Sequence, residues 1–233
     1  MKKILLVFIS LLVLGAVSAQ KEVTVRKKDR KKDILVQTSM GDMVFRLYDS
    51  TPLHRDNFLL MVKKHYYDSL LFHRVINNFM IQAGDPDSKN AASGKPLGEG
   101  SPGYNVPAEF RTSIFHKKGT LAAAREGDDV NPKRESSGSQ FYIVKGKVFT
   151  PAGLDSVETM RLHRKLSPAQ REAYTTVGGT PHLDGNYTAF GEMVKGFDVL
   201  DLIAATPTSK GADRDRPLQD VVILKTKLVR RKK

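Results

Sequence analysis

The chain has 233 residues, enough for one well-buried domain with additions at its ends. It contains no cysteine, which excludes a disulfide framework, a thiol nucleophile and a thiolate metal site. The formal net charge of +13 lies at the ends, because residues 1–33 carry +6, residues 225–233 carry +6 and the segment between them carries +1. This nearly neutral body gives no support to specific nucleic-acid binding. We interpret the basic ends as solvated tails, with weak attraction to anionic surfaces as the alternative.

Residues 1–19 have the features of a secretory signal peptide. Two lysines near the start precede an apolar run over residues 4–17, and small residues up to Ala19 offer a cleavage site before Gln20. The run is shorter than the ~20 residues that a membrane-spanning helix usually needs, and an uncleaved anchor is the competing interpretation. We therefore expect an exported protein, periplasmic or secreted, that begins near Gln20.

A charged segment, a strand pair and a helix are predicted next. Residues 20–33 are almost without apolar side chains and predict a flexible linker, so the domain starts near Ile34. Residues 34–38 and 43–48 predict two strands, the second with alternating apolar side chains. The Thr51-Pro52 pair is typical of a helix start, with the threonine as cap and the proline in the first turn.

The stretch at residues 72–85 carries the candidate site. Arg74 precedes a Phe-Met pair and Gln82. If residues 79–82 are extended, side chains 79 and 81 face one way and side chains 80 and 82 the other. A loop after Arg74 would then fold the cation over an apolar patch, which suits a ligand with an apolar ring and an amide carbonyl. Proline within a peptide is one such ligand, and spacing alone leaves it one candidate among several.

The rest of the chain predicts mainly strands, with one helical insertion. The regions are a long loop at 86–119, strands at 119–124, 139–145, 188–194 and 221–229, a helix at 197–205 and a charged loop at 213–216. The insertion covers about residues 147–180. Within it, residues 154–166 have helical spacing, and Ser167 to Gln170 has the pattern of a capping box that starts a second helix. Partner binding, substrate gating and stabilisation are all open roles for it.

Three ordered segments resemble the cyclophilins, which are peptidyl-prolyl cis-trans isomerases. They are Phe72-His73-Arg74 with residues 79–85, then residues 138–143, and finally residues 182–185 running on to Phe190-Gly191. The resemblance covers a domain at about residues 34–229, followed by a basic tail at 230–233. It implies a mainly β fold, a closed eight-stranded antiparallel barrel capped by two helices, with the inserted helical segment added.

The resemblance also implies the site. Arg74 would be the catalytic guanidinium, and Gln82 would orient it. The positions that match substrate-binding residues of the family are His73, Phe79, Met80, Ala124, Arg125, Gln140, Tyr142, His182, Leu183 and Tyr187. Proline-containing peptides and unfolded proteins would be the partners of a monomeric enzyme that uses neither metal nor cofactor.

Some positions depart from the family pattern. Tyr142 stands where many cyclophilins have phenylalanine, and its hydroxyl needs a partner if it is buried. Tyr187 replaces a histidine, His182 replaces a tryptophan of cyclosporin-sensitive members, and Asn77-Asn78 replaces a Pro-Gly pair. Two alternatives to an active isomerase are therefore open: a peptide-binding module with vestigial catalysis, and a protein recruited to anionic surfaces by its basic ends.

Overall fold

The computed structural model describes residues 22–231, so the predicted signal peptide at 1–19 lies outside the described residues. The strands are β1 (Lys32–Thr38), β2 (Gly41–Leu47), β3 (Arg74–Ile76), β4 (Met80–Ala83), β5 (Asn105–Val106), β6 (Thr120–Ala123), β7 (Ser136–Ser137), β8 (Phe141–Val144), β9 (Ala189–Lys195) and β10 (Ile223–Arg230). The helices are α1 (Pro52–Lys63), α2 (Pro151–Val157), α3 (Pro168–Thr176) and α4 (Phe197–Ala204).

Eight strands form one antiparallel sheet in the order β10-β1-β2-β9-β6-β8-β4-β3, and β5 pairs with β7 separately. The sheet is strongly curled but open, so the predicted closed barrel is wrong. Its edge strands β3 and β10 do not pair with each other, and an isolated bridge between Leu71 and Val222 joins the segments that lead into them. The edge of β3 is occupied instead by a loop, because the Val75 N–H donates to the Asp215 carbonyl at 2.9 Å.

The sheet separates two apolar faces. Ile81 pairs with Ile143, which pairs on its other side with Leu121, and all three are fully buried in the main core with α1 and α4. The neighbouring row contains Gln82 and Tyr142, which point to the opposite face because side chains alternate along a strand. The candidate site is built on this second face.

Thr51 occupies the predicted N-cap position of α1 and Pro52 the first turn, but the threonine hydroxyl does not cap the helix. Thr51 makes no side-chain cap hydrogen bond. The carboxylate of Glu109 accepts instead from the N–H groups of Leu53 at 3.2 Å and His54 at 3.0 Å. A carboxylate at a helix N-terminus satisfies unpaired donors and interacts favourably with the helix dipole. A residue from the long loop thus anchors the first helix.

The insertion is helical, as predicted, and its helices α2 and α3 add to α1 and α4, so the described chain has four helices. α2 continues into a five-residue π-helical turn that ends at Leu162. α3 begins with the predicted capping box, in which Ser167 and Gln170 bond each other's backbone N–H groups. A small core of Leu154, Leu166 and Tyr174 holds this unit together and contacts Phe115 of the long loop.

The described part of the predicted linker is folded against the domain. β1 begins at Lys32, where it pairs with Arg230 of β10. Asp29 is 1% exposed and lies 2.6 Å from the Lys63 ammonium of α1. The backbone N–H of Arg26 donates to the same carboxylate at 3.0 Å. Charged side chains that looked like a solvated linker therefore form a buried ion pair, and Arg230 belongs to a strand rather than to a tail.

We expect the Asp29→Asn variant to lose stability at neutral pH and to lose less at acid pH. Burial opposes ionisation of Asp29, but the hydrogen bonds from Lys63 and the Arg26 backbone outweigh it and lower the pKa to about 2. Because an unfolded aspartate has a pKa of about 3.9, this stabilisation is complete above about pH 4 and is lost as the pH falls towards 2.

Urea unfolding of the wild type and the Asp29→Asn variant, from pH 7 downwards, measures this contribution. The difference in unfolding free energy should shrink between about pH 4 and pH 2, the window set by the two pKa values. A difference that does not vary with pH, or one as small as that of the exposed-site control Asp129→Asn, would contradict the expectation.

Candidate active site

A tight hairpin places a cation opposite an amide. β3 and β4 pair so that Arg74 lies directly across from Gln82. The Phe79 N–H donates to the Ile76 carbonyl at 3.1 Å to close the turn, and Asn78 adopts a φ of 61° there. Asparagine tolerates this left-handed conformation, which explains its presence in the turn. Opposed residues have Cβ atoms roughly 5 Å apart, so the hairpin itself brings the guanidinium and the amide together.

The predicted alternation holds only from Met80 onwards. Phe79 is the last residue of the turn and is not constrained by the strand. It lines the same cleft as Met80, whereas Ile81 is buried in the main core on the other face. The prediction that placed Phe79 on the face of Ile81 is therefore wrong.

A row of side-chain amides orients the guanidinium. Nη1 of Arg74 lies 3.5 Å from Oε1 of Gln82, a long contact. Nε2 of Gln82 donates to Oε1 of Gln140 at 3.0 Å, and Nε2 of Gln140 donates to the carbonyls of Gly98 and Gly100 at 2.7 and 2.9 Å. This row fixes the carbonyl oxygen of Gln82 towards the cation. Within residues 22–231 Arg74 forms no ion pair, which leaves guanidinium donors available to a ligand.

An apolar hollow lies beside the guanidinium. Met80 from β4, Tyr142 from β8 and Leu183 from a helical turn are buried in one cluster. Phe79 and Tyr187 are partly buried at its edge. Aromatic and aliphatic side chains around a ring-sized space favour an apolar ring such as that of proline.

The buried hydroxyl of Tyr142 has a partner beneath the floor of the hollow. It lies 3.0 Å from Nε2 of His116, whose Nδ1 lies 2.9 Å from Oδ1 of Asp184. A carboxylate only accepts, so Nδ1 of His116 donates to Asp184, and Nε2 is the ring atom that bonds the Tyr142 hydroxyl. Burial raises the pKa of Tyr142 well above its ordinary value. The buried Tyr142 hydroxyl was expected to need a hydrogen-bond partner, and His116 is that partner. The sequence analysis did not identify His116.

Arg125 is held by its neighbours. Its Nε donates to the Asn186 carbonyl at 2.8 Å, and its Nη1 lies 2.7 Å from Asp128. Its guanidinium carbon also sits 4.6 Å from the centre of the Tyr187 ring. The guanidinium of Arg125 is thus paired with a carboxylate and stacked on an aromatic ring. Arg125 forms part of the cleft wall.

The cation, the amide and the hollow open into one cleft of about 610 Å³. The predicted site residues that line it are His73, Arg74, Phe79, Met80, Gln82, Ala124, Arg125, Tyr142, Leu183 and Tyr187. Gln140 lines an adjoining cleft of about 400 Å³. His182 lies outside both and stacks on Phe79, with 5.6 Å between ring centres.

Two loops that the sequence analysis did not assign to the site complete the cleft. They contribute Leu97, Gly98 and Glu99 from one loop and Ser209, Lys210, Gly211, Arg214 and Asp215 from the other. Arg216, which is 2% exposed, ties them together by donating to the carbonyls of Ala92 and Lys95 and pairing with Asp220 at 2.9 Å. The sequence predicts the charged loop at 213–216, but no residue pattern in it indicates that it lies beside the site.

The described chain offers no obvious metal centre. Between residues 22 and 231, no three His, Cys, Asp or Glu side chains are grouped so that they could hold an ion. Over the same range, none of the helices has the length and apolar character needed to cross a bilayer.

Comparison with known families agrees with this geometry. Residues 33–228 match the sequence model described as cyclophilin type peptidyl-prolyl cis-trans isomerase/CLD. The chain belongs to the cyclophilin family. It is a cyclophilin-type peptidyl-prolyl cis-trans isomerase, and its family match spans both the cleft and the insertion.

Relatives of this cyclophilin carry the same description. A putative peptidyl-prolyl cis-trans isomerase of Staphylococcus haemolyticus is 34% identical over 197 residues, which cover 84% of this chain and 90% of the relative. One from Staphylococcus aureus (strain USA300) is 36% identical over 191 residues, 82% and 88% of the two chains. The crystal structure of a Cryptosporidium parvum cyclophilin matches with a TM-score of 0.59 at 24% identity, covering 85% of this chain and 97% of that one, and supports the fold.

We expect the ring of His73 to stay neutral until the pH falls to about 4. Burial lowers its pKa to about 4, against the opposing effect of the Asp85 carboxylate. An unfolded histidine has a pKa near 6.5, so the contribution of His73 to stability is fully present above about pH 6.5 and is lost as the pH falls towards 4. NMR titration of the ring resonances checks this, and a folded-state pKa at or above 6.5 would contradict it.

Proposed function

We propose that this cyclophilin accelerates rotation about X–Pro bonds in proteins outside the cytoplasm and assists their folding. The mechanism proposed is electrostatic stabilisation of the twisted amide by Arg74. The observation that carries it is a guanidinium without an ion-pair partner in the described chain, oriented by Gln82 at the edge of an apolar hollow.

The chemistry asks for little beyond positioning. Resonance gives the amide C–N bond a rotational barrier of ~18–20 kcal/mol, and uncatalysed X–Pro isomerisation takes tens to hundreds of seconds. In the twisted amide the prolyl nitrogen recovers its lone pair and becomes a hydrogen-bond acceptor. A fixed donor that binds this state better than either planar isomer lowers the barrier, and no covalent intermediate is required.

The cleft would hold the substrate in place during rotation. The hollow formed by Met80, Tyr142 and Leu183 would hold the proline ring while the preceding residue turns. The adjoining cleft beside Gln140 would hold the peptide backbone as an extended strand. A cyclophilin of Cryptosporidium parvum, 23% identical and with a TM-score of 0.58, has been crystallised in the presence of the dipeptide Ala-Pro, which supports proline peptides as the ligand class. We propose unfolded proteins as substrates and a monomer as the active form.

Export is the second part of the proposal. Residues 1–19 combine an early positive charge, an apolar run and small residues at the predicted cleavage site. This pattern supports a periplasmic or secreted enzyme whose mature chain begins near Gln20. The basic ends would add, at most, weak attraction to anionic surfaces.

Replacing Arg74 tests the mechanism. We expect Arg74→Ala to lower kcat by about 10²–10³, or about 2.7–4 kcal/mol, by analogy with removal of one oxyanion-hole donor. Arg74→Lys keeps the charge but loses the planar guanidinium, so its kcat should lie between that of Arg74→Ala and that of the wild type. NMR exchange spectroscopy on an Ala-Pro peptide measures catalysis and binding together.

The matched control is Arg111→Ala, which removes an exposed guanidinium that bonds backbone carbonyls away from the cleft. Its turnover should equal that of the wild type. Unchanged turnover in Arg74→Ala would end the proposed mechanism. A wild type that binds the peptide without accelerating exchange would favour the binding-module alternative.

Export has its own test. When the full chain is produced in a bacterial host that exports it, we expect the intact mass of the released protein to correspond to a chain starting at Gln20. A membrane-bound product that retains Met1 would show an uncleaved anchor instead. A full-length product left in the cytoplasm would refute export.

A further inference from the structure

The carboxylate of Asp184 accepts four hydrogen bonds from two different parts of the fold. Its Oδ1 accepts from the backbone N–H of His116 at 2.8 Å and lies 2.9 Å from Nδ1 of the same residue. Its Oδ2 accepts from the Tyr174 hydroxyl at 2.7 Å and from Nε2 of Gln170 at 3.1 Å. A carboxylate has about four lone-pair sites, so this one is fully used.

Two of the four donors come from the insertion. Gln170 and Tyr174 lie one turn apart on α3, are 6% and 0% exposed, and both face the carboxylate. Gln170 also forms the capping box with Ser167, which fixes its amide so that Nε2 faces Asp184. The insertion returns to the sheet at Gly179, where a Cβ atom would lie 2.3 Å from the His116 carbonyl. Only a residue without a side chain allows this close approach.

The other two donors lead to the proline pocket. His116 connects Asp184 to the Tyr142 hydroxyl beneath the pocket floor, at 3.0 Å. Tyr142, His116 and Asp184 are all at least 96% buried, so water cannot replace these bonds easily. Low local dielectric strengthens such a chain and makes each lost partner costly. The orientation of the Tyr142 ring is thus tied to a group that α3 holds.

We propose that the inserted helix α3 sets the shape of the proline pocket, with Asp184 as a positioning residue that acts through His116 on Tyr142. The inference rests on the proposed function, since it concerns how that pocket recognises proline. It gives the insertion a role in substrate affinity rather than in partner binding. The insertion influences the pocket through the Tyr142 hydroxyl, the group that a phenylalanine at this position would lack.

The decisive variant is Tyr174→Phe, which removes one donor to Asp184 and keeps the ring that packs on Phe115 at 5.7 Å. We expect the Kd of an Ala-Pro peptide, measured by NMR titration, to rise about two- to tenfold, the range for losing one hydrogen bond. The turnover number should change by less than about twofold, because Arg74 is not displaced. In a Tyr142→Phe background, the same substitution should have little further effect on Kd, since the connection is already broken.

Glu158→Gln is the control within the insertion. Glu158 is 2% exposed and bonds Lys165, Arg171 and the Leu166 N–H without contacting Asp184. This variant should lower the melting temperature while leaving the Kd of the peptide unchanged. The proposal is overturned if Tyr174→Phe alters Kd no more than Glu158→Gln does, or if its effect is undiminished when Tyr142 is phenylalanine.

A measurement on the wild type keeps the test independent of variant folding and of isomerase activity. The ¹⁵N shifts of His116 should show that Nδ1 is protonated, since this atom donates to the Asp184 carboxylate. A ring protonated at Nε2 alone would overturn the proposal. Because peptide affinity and the His116 tautomer are read without turnover, an inactive wild type would count against the proposed mechanism and still leave this inference testable.

Discussion

The register among β3, β4 and β8 is the constraint on which the active site depends. Arg74 faces Gln82, and Gln82 faces Tyr142, so the cation, the orienting amide and the pocket floor form one row across three strands. Side chains alternate with a period of two, so a slip of one residue would turn this row into the core. The same slip would expose Ile81 and Ile143, which are both 0% exposed. Hydrophobic burial on one face therefore maintains the arrangement of the cleft residues on the other.

Charge in the cleft is distributed unequally. Arg125 is paired with Asp128, and the buried Arg216 is paired with Asp220. Buried charges need such partners, because desolvation without compensation is costly. Arg74 is only partly buried and meets neutral amides in the described chain, so its field is directed at the cleft instead of being cancelled. Arg125 and Arg216 hold loops in place, whereas Arg74 has donors available to a ligand.

Buried carboxylates serve as junctions between distant segments. Glu109 of the long loop caps α1, and Asp184 joins the insertion to the loop that carries His116. Asp29 likewise ties the charged N-terminal segment to α1. Each accepts several hydrogen bonds and would be costly to leave unpaired. These contacts explain how a sheet with an open edge and long loops keeps a single arrangement around its cleft.

Alternation and capping were enough to predict most strands and α3 with its capping box, while the resemblance of three ordered segments to the cyclophilins predicted the family and the residues that meet in the cleft. Alternation and capping are local signals, since each depends on neighbours a few residues apart. The open edge of the sheet, the Glu109 cap, the loops around the cleft and the His116 partner of Tyr142 were decided by the tertiary structure. His116 lies 26 residues from Tyr142 and 68 from Asp184. No periodic pattern spans such separations, because only the folded sheet brings these groups within hydrogen-bonding distance.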